Sequence, residues 1–434
     1  MLDATIETLY MSCVSLFISW IIAMPLGSFV SETRPGGLFP NKVINFVLNR
    51  IIDVGRSIPF ILLVVFMFPV TRALIGTAIG TTAMIVPLTV CAIPFEARLI
   101  EEILSEVPYS IIEAAKIDGN VKLPTDDPAK LESMLKVGMD CPSLEVYLKA
   151  FDITCSVLQT YQSLVRATYE LAEDCAAENV WYLEIRFSPI LHVNKGLKLT
   201  DVIDAVLEGK ARAERDFNIK VGIIVCGLRH STPETSLLLA ELAVAYKNRG
   251  VVGYDLAGAE DGFPAKDHKE AFDLIINNNI NTTVHAGEAY GPESIHQALH
   301  LVSANRIGHG TRLREDGDLL NYVNDHRIPL EMCVTSNLQT KAVDSIEKHP
   351  VKFYFDLGIR VTINTDNRLI SNTTLTDEYM LVIEKFGFTP SELKYLIING
   401  FKSAFLPLKE KVDMIHRVTA VLEEKGLIIR RDYI

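Results

Sequence analysis

The chain has 434 residues, a formal net charge of −12 and 49 % hydrophobic residues. This length predicts two or more domains. The acidic balance, without any basic cluster, excludes a nucleic-acid backbone as the partner. The seven cysteines are odd in number and lack CxxC spacing, which indicates reduced thiols in a cytosolic setting.

The first 118 residues are predicted to be an all-α membrane domain. Uncharged runs cover residues 10–30, 57–71 and 73–95. A helix needs about 20 apolar residues to cross a bilayer core, so the first and third runs are long enough. The second run is long enough if the helix also includes the residues just before it. A cleaved signal peptide is the alternative for the first run, but no basic segment precedes that run. We therefore predict three transmembrane helices between residues 10 and 95.

The orientation of these helices follows from the segment at residues 31–56, which contains Arg34, Lys42, Arg50 and Arg56. Loops rich in Lys and Arg stay on the cytoplasmic side, so this segment is expected to be a cytoplasmic loop. The N-terminus then lies outside, and everything after residue 95 is cytoplasmic. The predicted location is the inner or plasma membrane, with the C-terminal domain in the cytoplasm.

Short motifs in this region resemble the permease subunits of methionine-type ABC importers. They are Thr33-Arg34-Pro35-Gly36, Arg56-Ser57-Ile58-Pro59-Phe60, Ile85-Val86-Pro87-Leu88-Thr89 and Ala92-Ile93-Pro94-Phe95. Glu113-Ala114-Ala115, followed by Gly119, resembles the coupling loop by which such permeases bind their ATPase, so an ABC ATPase is the implied partner. The resemblance stops at about residue 119, and no further apolar span follows. We therefore predict a truncated permease fragment at residues 1–118.

The rest of the chain alternates short β-rich runs with segments of helical spacing. The runs are residues 180–189, 220–229, 251–258, 281–287, 306–310, 329–337 and 360–366. This alternation predicts a parallel sheet, and titratable residues at the strand ends favour a (β/α)8 TIM-type barrel. An open doubly wound sheet is the alternative, without a glycine-rich phosphate loop to support it. Because residues 119–179 show helical spacing only, the barrel at residues 119–434 is predicted to lack its first strand.

The candidate site residues lie where the predicted strands end. His285 is followed three positions later by Glu288, His309 lies between two glycines, and Asp366 follows the last run. Gly258 would expose its backbone at a fourth strand end. The carboxyl ends of barrel strands share one face, so His285 and Asp366 are a candidate metal-binding pair. The glycines beside His309 would let a substrate approach its ring.

Three of these motifs resemble the signatures of adenosine deaminases. They are His285-Ala286-Gly287-Glu288, Gly308-His309-Gly310 and Asn364-Thr365-Asp366, in that order, and the resemblance runs from about residue 118 to the C-terminus. It implies one zinc ion per chain, held in part by His285 and Asp366, which makes a hydroxide available. That hydroxide would attack C6 of the adenine ring of adenosine or 2′-deoxyadenosine, and inosine or 2′-deoxyinosine and ammonia would form.

The resemblance also implies a role for each remaining site residue. Glu288 would protonate ring N1 and therefore needs a raised pKa. His309 would orient the attacking water or accept its proton, and would stabilise the developing alkoxide. The N–H of Gly258 would bond ring N3, and Asp118 would contact the ribose. Asn367 stands where many family members have a second aspartate, and its amide donor would bond ring N7.

One feature of the family is missing. The family takes two further zinc ligands from a His-x-His on its first strand, but the first histidine here is His192 and no His-x-His occurs. Asp255 is expected either to support a metal ligand or to be a packing carboxylate at a strand end. Two protein ligands are fewer than the three that catalytic zinc sites use, and the unclosed barrel leaves strand edges unpaired.

From these losses we predict an inactive or severely impaired adenosine deaminase of purine salvage. Two alternatives remain from the sequence. The chain could act as a membrane permease fragment of a methionine importer, or it could be a non-functional gene fusion.

Overall fold

The computed structural model describes residues 2–33, 41–106, 127–141 and 143–427. The chain divides into two compact units, Met1–Lys116 and Ile117–Ile434. The predicted coupling loop at residues 113–119 and the predicted ribose contact Asp118 lie outside the described residues.

The N-terminal unit is all-α, as predicted. Its described helices are α1 (Leu2–Thr33), α2 (Lys42–Ser57), α3 (Phe60–Ile75) and α4 (Thr81–Glu106). Two stretches, Glu7–Ser31 in α1 and Thr81–Glu101 in α4, are long and apolar enough to cross a membrane. Helices α2 and α3 add a third crossing if this pair, bent by 106°, forms one span. The count of three predicted helices is consistent with this arrangement.

The boundaries of the second predicted helix are corrected by the structure. Most of the segment at residues 31–56 is not a loop, since α2 begins at Lys42. This helix stops at Ser57 because a residue that precedes a proline, here Pro59, is held in an extended conformation. Gly76, with φ +84°, ends α3, so the third span begins only after this turn.

Small residues let α1 and α4 pack closely. Ala23 and Ala97 are fully buried, and a Cβ atom at Gly27 would lie 2.5 Å from the Ala97 carbonyl oxygen. Helices in membranes associate through such close backbone contacts. Arg98 Nη1 also donates to Asn49 Oδ1 at 2.7 Å, which ties α4 to α2. This unit is therefore held together by close helix packing and a few polar contacts.

In the described part of the C-terminal unit, four helices precede the first strand. They are α5 (Pro128–Leu135), α6 (Leu144–Leu148), α7 (Phe151–Val157) and α8 (Tyr161–Ala177). The last of them begins with a capping box in which the Thr160 side chain accepts from the Ser163 N–H. The described residues between 127 and 178 thus contain helices and no strand, as the helical spacing predicts.

All seven predicted strands are present and parallel. They are β1 (Tyr182–Phe187), β2 (Lys220–Leu228), β3 (Val251–Ala257), β4 (Asn281–Ala286), β5 (Arg306–His309), β6 (Leu330–Met332) and β7 (Val361–Ile363). They form one sheet in the order of the sequence, from β1 to β7. A doubly wound sheet would reverse its strand order at a switch point, so that alternative is wrong.

Helices follow the strands along the chain and cover the sheet. They are α9 (Leu199–Asp216), α10 (Pro233–Ala245), α11 (Lys269–Asn277), α12 (Pro292–His300), α13 (Gly317–Asp325), α14 (Val334–Gln339), α15 (Val351–Asp356), α16 (Arg368–Ser371), α17 (Leu375–Phe386), α18 (Pro390–Ser403) and α19 (Leu408–Glu424). Their apolar faces and the strands build one buried core, in which Ile223, Tyr254 and Val284 are fully enclosed.

The sheet curves into a barrel. Glu184 on β1 reaches Arg306 on β5 at 2.6 Å, and Arg186 on β1 reaches Glu331 on β6 at 2.6 Å. Strands so far apart in the sheet can share these contacts only if their side chains meet in a common interior. Among the described residues, β1 pairs only with β2 and β7 only with β6. The described residues therefore form a seven-stranded, TIM-type barrel, and none of them supplies a strand before β1, as predicted.

Candidate active site

The predicted site residues meet at the carboxyl ends of neighbouring strands. Parallel pairing of β4 with β5 places His285 beside Gly308 and Ala286 beside His309. The ring centroids of His285 and His309 are 5.1 Å apart, and Asp366 follows β7 and interacts electrostatically with His285. One end of the barrel thus collects the imidazoles and the carboxylate that the sequence singles out.

Two of these residues have unusual backbones. His309 has φ +63° and Asp366 has φ +54°, a left-handed conformation that is costly for a residue with a side chain. Such outliers cluster at functional sites. Gly258, at the end of β3, has φ +96°, which its lack of a side chain allows. The backbone geometry therefore supports the choice of all three positions.

The glycines beside His309 have a different purpose from the one predicted. A Cβ atom at Gly308 would lie 3.2 Å from the His285 Cα atom, and one at Gly310 would lie 3.0 Å from Leu330 Cδ2. Both positions are therefore filled by protein neighbours. The glycines let β5 fit between β4 and β6, and substrate approach is not what requires them.

Asp255 supports His285 from within the barrel. Its fully buried carboxylate lies 3.2 Å from His285 Nδ1. This contact orients the ring and leaves Nε2 pointing away from Asp255. Burial lowers the pKa of His285, but the charge and hydrogen bond of Asp255 raise it above its ordinary value.

Glu288 is enclosed next to His309. Its Oε1 accepts from Thr340 Oγ1 at 3.0 Å, and its Oε2 lies 3.5 Å from His309 Nε2. Burial, reinforced by the charge of Asp366, raises the pKa of Glu288 even though His309 lowers it. A raised pKa is the property that a carboxylic acid needs to act as a proton donor near neutral pH.

Asp366 and Asn367 are both engaged by protein partners. Asp366 accepts from Ser336 Oγ at 2.7 Å and from Asn367 Nδ2 at 2.9 Å. The same Asn367 amide also donates to the Tyr147 hydroxyl at 3.3 Å. Both amide protons of Asn367 are therefore used, whereas the sequence suggested that they would be free for ring N7. Nothing in the sequence pattern singled out Tyr147, which reaches this end of the barrel from α6.

Glu260 is a further site residue that sequence reasoning missed. Its carboxylate accepts from four consecutive backbone N–H groups, those of Gly287 at 2.5 Å, Glu288 at 2.9 Å, Ala289 at 2.6 Å and Tyr290 at 3.0 Å. The buried carboxylate thus fixes the turn that carries Glu288. Its place two residues after Gly258, in a strand-end loop, is the signal that could have revealed it.

The described residues form a partial candidate metal site at this end of the barrel. Among the described residues, one group of three possible ligands has its ligand atoms within 4.8 Å of one another, namely His309, Cys333 and Asp366. Burial raises the pKa of the Cys333 thiol well above its ordinary value, so a metal ion would have to displace its proton on binding. His192, the first histidine of the chain, is not part of this group. In the part of the chain that the structure describes, this group is therefore only a partial candidate for catalytic zinc, which uses three protein ligands and a water.

The sequence model of the family described as adenosine deaminase matches residues 105–421. The chain belongs to the adenosine deaminase family. This member is 42 % identical over 327 residues to an adenosine deaminase of Mycobacteroides abscessus, covering 72 % of this chain and 90 % of the relative. It is 46 % identical over 302 residues to a probable adenosine deaminase of Dictyostelium discoideum, covering 69 % of this chain but only 39 % of that longer relative.

Solved structures agree with this placement. The crystal structure of an adenine deaminase from Arthrobacter aurescens is similar to the deaminase-family chain with a TM-score of 0.68 and 26 % identity, covering 73 % of this chain and 95 % of the other. The site described above therefore belongs to a hydrolase of the adenosine deaminase family, built on a barrel that this adenine deaminase shares.

The N-terminal part of this deaminase-family chain matches a second family. Residues 23–123 match the sequence model described as the binding-protein-dependent transport system inner membrane component. The segment before the barrel is therefore permease-like, as the motifs around Pro59 and Pro94 indicate. The two family matches overlap at residues 105–123, where the first strand of a deaminase would be expected.

Proposed function

We propose that residues 119–434 form an adenosine deaminase domain for purine salvage whose turnover is severely impaired in this chain. The reaction is the hydrolysis of adenosine or 2′-deoxyadenosine to inosine or 2′-deoxyinosine and ammonia. The enclosed pair of Glu288 and His309, with the raised pKa of Glu288, is the observation that supports the reaction type. The incomplete donor set around Asp366 supports the impairment.

The proton-handling half of the proposed site is intact. A protonated Glu288 would give its proton to ring N1, which makes C6 more electrophilic. The backbone N–H groups of the turn donate to the Glu260 carboxylate, and these hydrogen bonds hold Glu288 in place for the transfer. The N–H of Gly258 would bond ring N3, and Asp118 and Asn367 would contact the ribose and ring N7 once Asn367 exchanges one of its present partners.

The metal-binding half is incomplete. His285, oriented by Asp255, and Asp366 are the two proposed ligands of one Zn²⁺ per chain, and a zinc ion bound there would supply an activated water. Its remaining ligands would come from the first strand, which the permease-like segment replaces in the sequence. Without them the domain is expected to retain substrate contacts but to lack an efficient nucleophile.

A turnover assay tests the proposal. The full chain, purified in detergent and supplied with zinc, is expected to form inosine from adenosine at least about 10³-fold more slowly than the Mycobacteroides abscessus relative, because metal activation contributes several kcal/mol to such reactions. A Glu288→Gln variant measured alongside shows whether any residual rate comes from this site. Turnover at the rate of the relative would refute the impairment.

For the N-terminal unit we propose insertion into the inner membrane with the deaminase domain in the cytoplasm. The long apolar helices α1 and α4 support this location. An ABC ATPase that binds the loop at residues 113–119 is the proposed partner. Alkaline extraction of membranes tests the insertion, since release of the chain into the soluble fraction would refute it. If separate, intact permease and deaminase genes were found at the same locus, this would instead favour the alternative that the present chain is a gene fusion without function.

A further inference from the structure

A row of buried hydrogen bonds leads from the start of α15 to the candidate active site. The Val351 N–H donates to His349 Nδ1 at 3.3 Å, and His349 Nε2 lies 3.2 Å from Asn337 Oδ1. Asn337 Nδ2 in turn lies 2.8 Å from His309 Nδ1, and His309 Nε2 faces Glu288 at 3.5 Å. Every side chain in the row is buried, so protein partners alone determine who donates and who accepts.

The first link of the row has a fixed direction. A backbone N–H can only donate, so the Nδ1 atom of His349 must accept from Val351. Burial, with the nearby charge of Arg314, lowers the pKa of His349 to about 3, so its ring is neutral under physiological conditions. A neutral imidazole carries a single proton, which must then lie on Nε2 and be donated to Asn337 Oδ1.

The direction passes through Asn337 to His309. Because the amide oxygen of Asn337 accepts from His349, the amide nitrogen faces His309 and donates to its Nδ1. We propose that Asn337 and His349 are positioning residues that fix the neutral His309 ring as the tautomer with its proton on Nε2, facing Glu288. The catalytic role of this tautomer rests on the proposed function. The tautomer itself exists without substrate or metal.

The tautomer selects among the roles that the resemblance suggested for His309: it keeps alkoxide stabilisation and removes proton acceptance. With its proton on Nε2, this ring donates a hydrogen bond towards Glu288 and towards any oxyanion that forms beside it. It has no lone pair there with which to take a proton from water or to bind a metal ion. The spacing of His309, Cys333 and Asp366 would suit a metal ion. With its proton on Nε2, however, His309 cannot bind that ion through Nε2.

The tautomer can be read directly from a long-range proton–nitrogen NMR spectrum of the full chain labelled with ¹⁵N-histidine. The signals of His309 are identified by their loss in a His309→Gln variant. The native protein is expected to show the Nε2–H form. A His349→Phe variant removes the donor to Asn337 and is expected to change this single form into a mixture. His349→Gln restores an N–H donor and should return the single form.

Two further variants test whether the direction of these hydrogen bonds, and not side-chain packing, fixes the tautomer of His309. Asn337→Asp presents a carboxylate that can only accept, so His309 is expected to switch to the Nδ1–H form. His326→Gln, at an exposed histidine after α13, should leave the His309 signals unchanged. An Nδ1–H form in the native protein would overturn the proposal. So would a single Nε2–H form in Asn337→Asp or in a folded His349→Phe variant. None of these results depends on turnover, so they stand apart from the assay of adenosine hydrolysis.

Discussion

Restoring the missing strand is expected to raise the rate of adenosine hydrolysis by about 10³-fold or more, because metal activation is worth several kcal/mol and each ~1.4 kcal/mol is a factor of ten. The change replaces residues 1–116 by a β-strand that carries the family's His-x-His motif. Alternate residues of a strand lie on the same face, so both imidazoles would join His285 and Asp366. The new strand would also fill the gap between β1 and β7, whose outer edges pair with nothing else among the described residues.

A matched graft separates the two effects of the strand. A version with Ala-x-Ala in place of His-x-His supplies the same backbone hydrogen bonds and the same closure of the barrel, but no ligands. It is expected to unfold at a similar denaturant concentration to the His-x-His graft and to remain as slow as the native chain. Equal activity of the two grafts would show that closure of the barrel, and not the ligand set, limits turnover.

Removing the charge of Glu331 is expected to destabilise the barrel by about 1–3 kcal/mol, the usual cost of losing a buried hydrogen-bonding partner, because Arg186 and Arg306 keep Asp255 and Glu184 as second partners. Its carboxylate lies 2.6 Å from Arg186 Nη2 and 2.7 Å from Arg306 Nε, and the Arg306 side chain is buried. A Glu331→Gln variant keeps the shape of the side chain but leaves both guanidinium groups without this carboxylate. Urea denaturation at neutral pH measures the loss, and Glu347→Gln, at an exposed carboxylate, is the control.

The same interaction predicts a pH dependence. Burial raises the pKa of Glu331, but the charges of Arg186 and Arg306 more than offset this and hold it at about 2. A carboxylate whose pKa is lowered on folding contributes stability above its unfolded pKa and loses it as the pH falls through its folded pKa. The native chain should therefore lose more unfolding free energy between about pH 5 and pH 2 than Glu331→Gln does. Parallel losses would mean that this ion pair does not stabilise the barrel.

The barrel could be predicted from the sequence because its strands have clear ends. Each β-rich run is followed by a small or titratable residue, as in Ala286-Gly287 and Thr365-Asp366, and helical spacing resumes within a few positions. The same ends identify His285, His309 and Asp366, since the carboxyl ends of parallel strands share one face of the barrel. Local pattern and tertiary arrangement agree at these positions.

The partners of the site residues could not be predicted in the same way. Asn337 and His349 act on His309 from α14 and from the loop before α15, and nothing in the local sequence pattern relates them. The two glycines around His309 were predicted to serve a substrate, whereas their true neighbours, on β4 and β6, belong to other strands. Hydrogen-bond partners depend on three-dimensional neighbours, and a single sequence reports them only when they share a periodic element.

The bend between α2 and α3 shows a related limit. The uncharged run at residues 57–71 predicts the apolar character of α3, but hydropathy is blind to backbone direction. Pro59 removes a backbone donor and holds Ile58 extended, which turns the chain by 106°. Local proline geometry thus decides where this helix begins, and the apolar run alone does not.

Zinc binding by the native chain tests the central claim most directly. The full chain, freed of metal and returned to detergent buffer, is titrated with zinc beside the Mycobacteroides abscessus relative under the same conditions. Because the proposed ligand set contains only His285 and Asp366, this chain is expected to bind zinc weakly and without a defined stoichiometry, and the relative is expected to bind one ion tightly. One zinc ion per chain, bound as tightly as by the relative, would contradict the account.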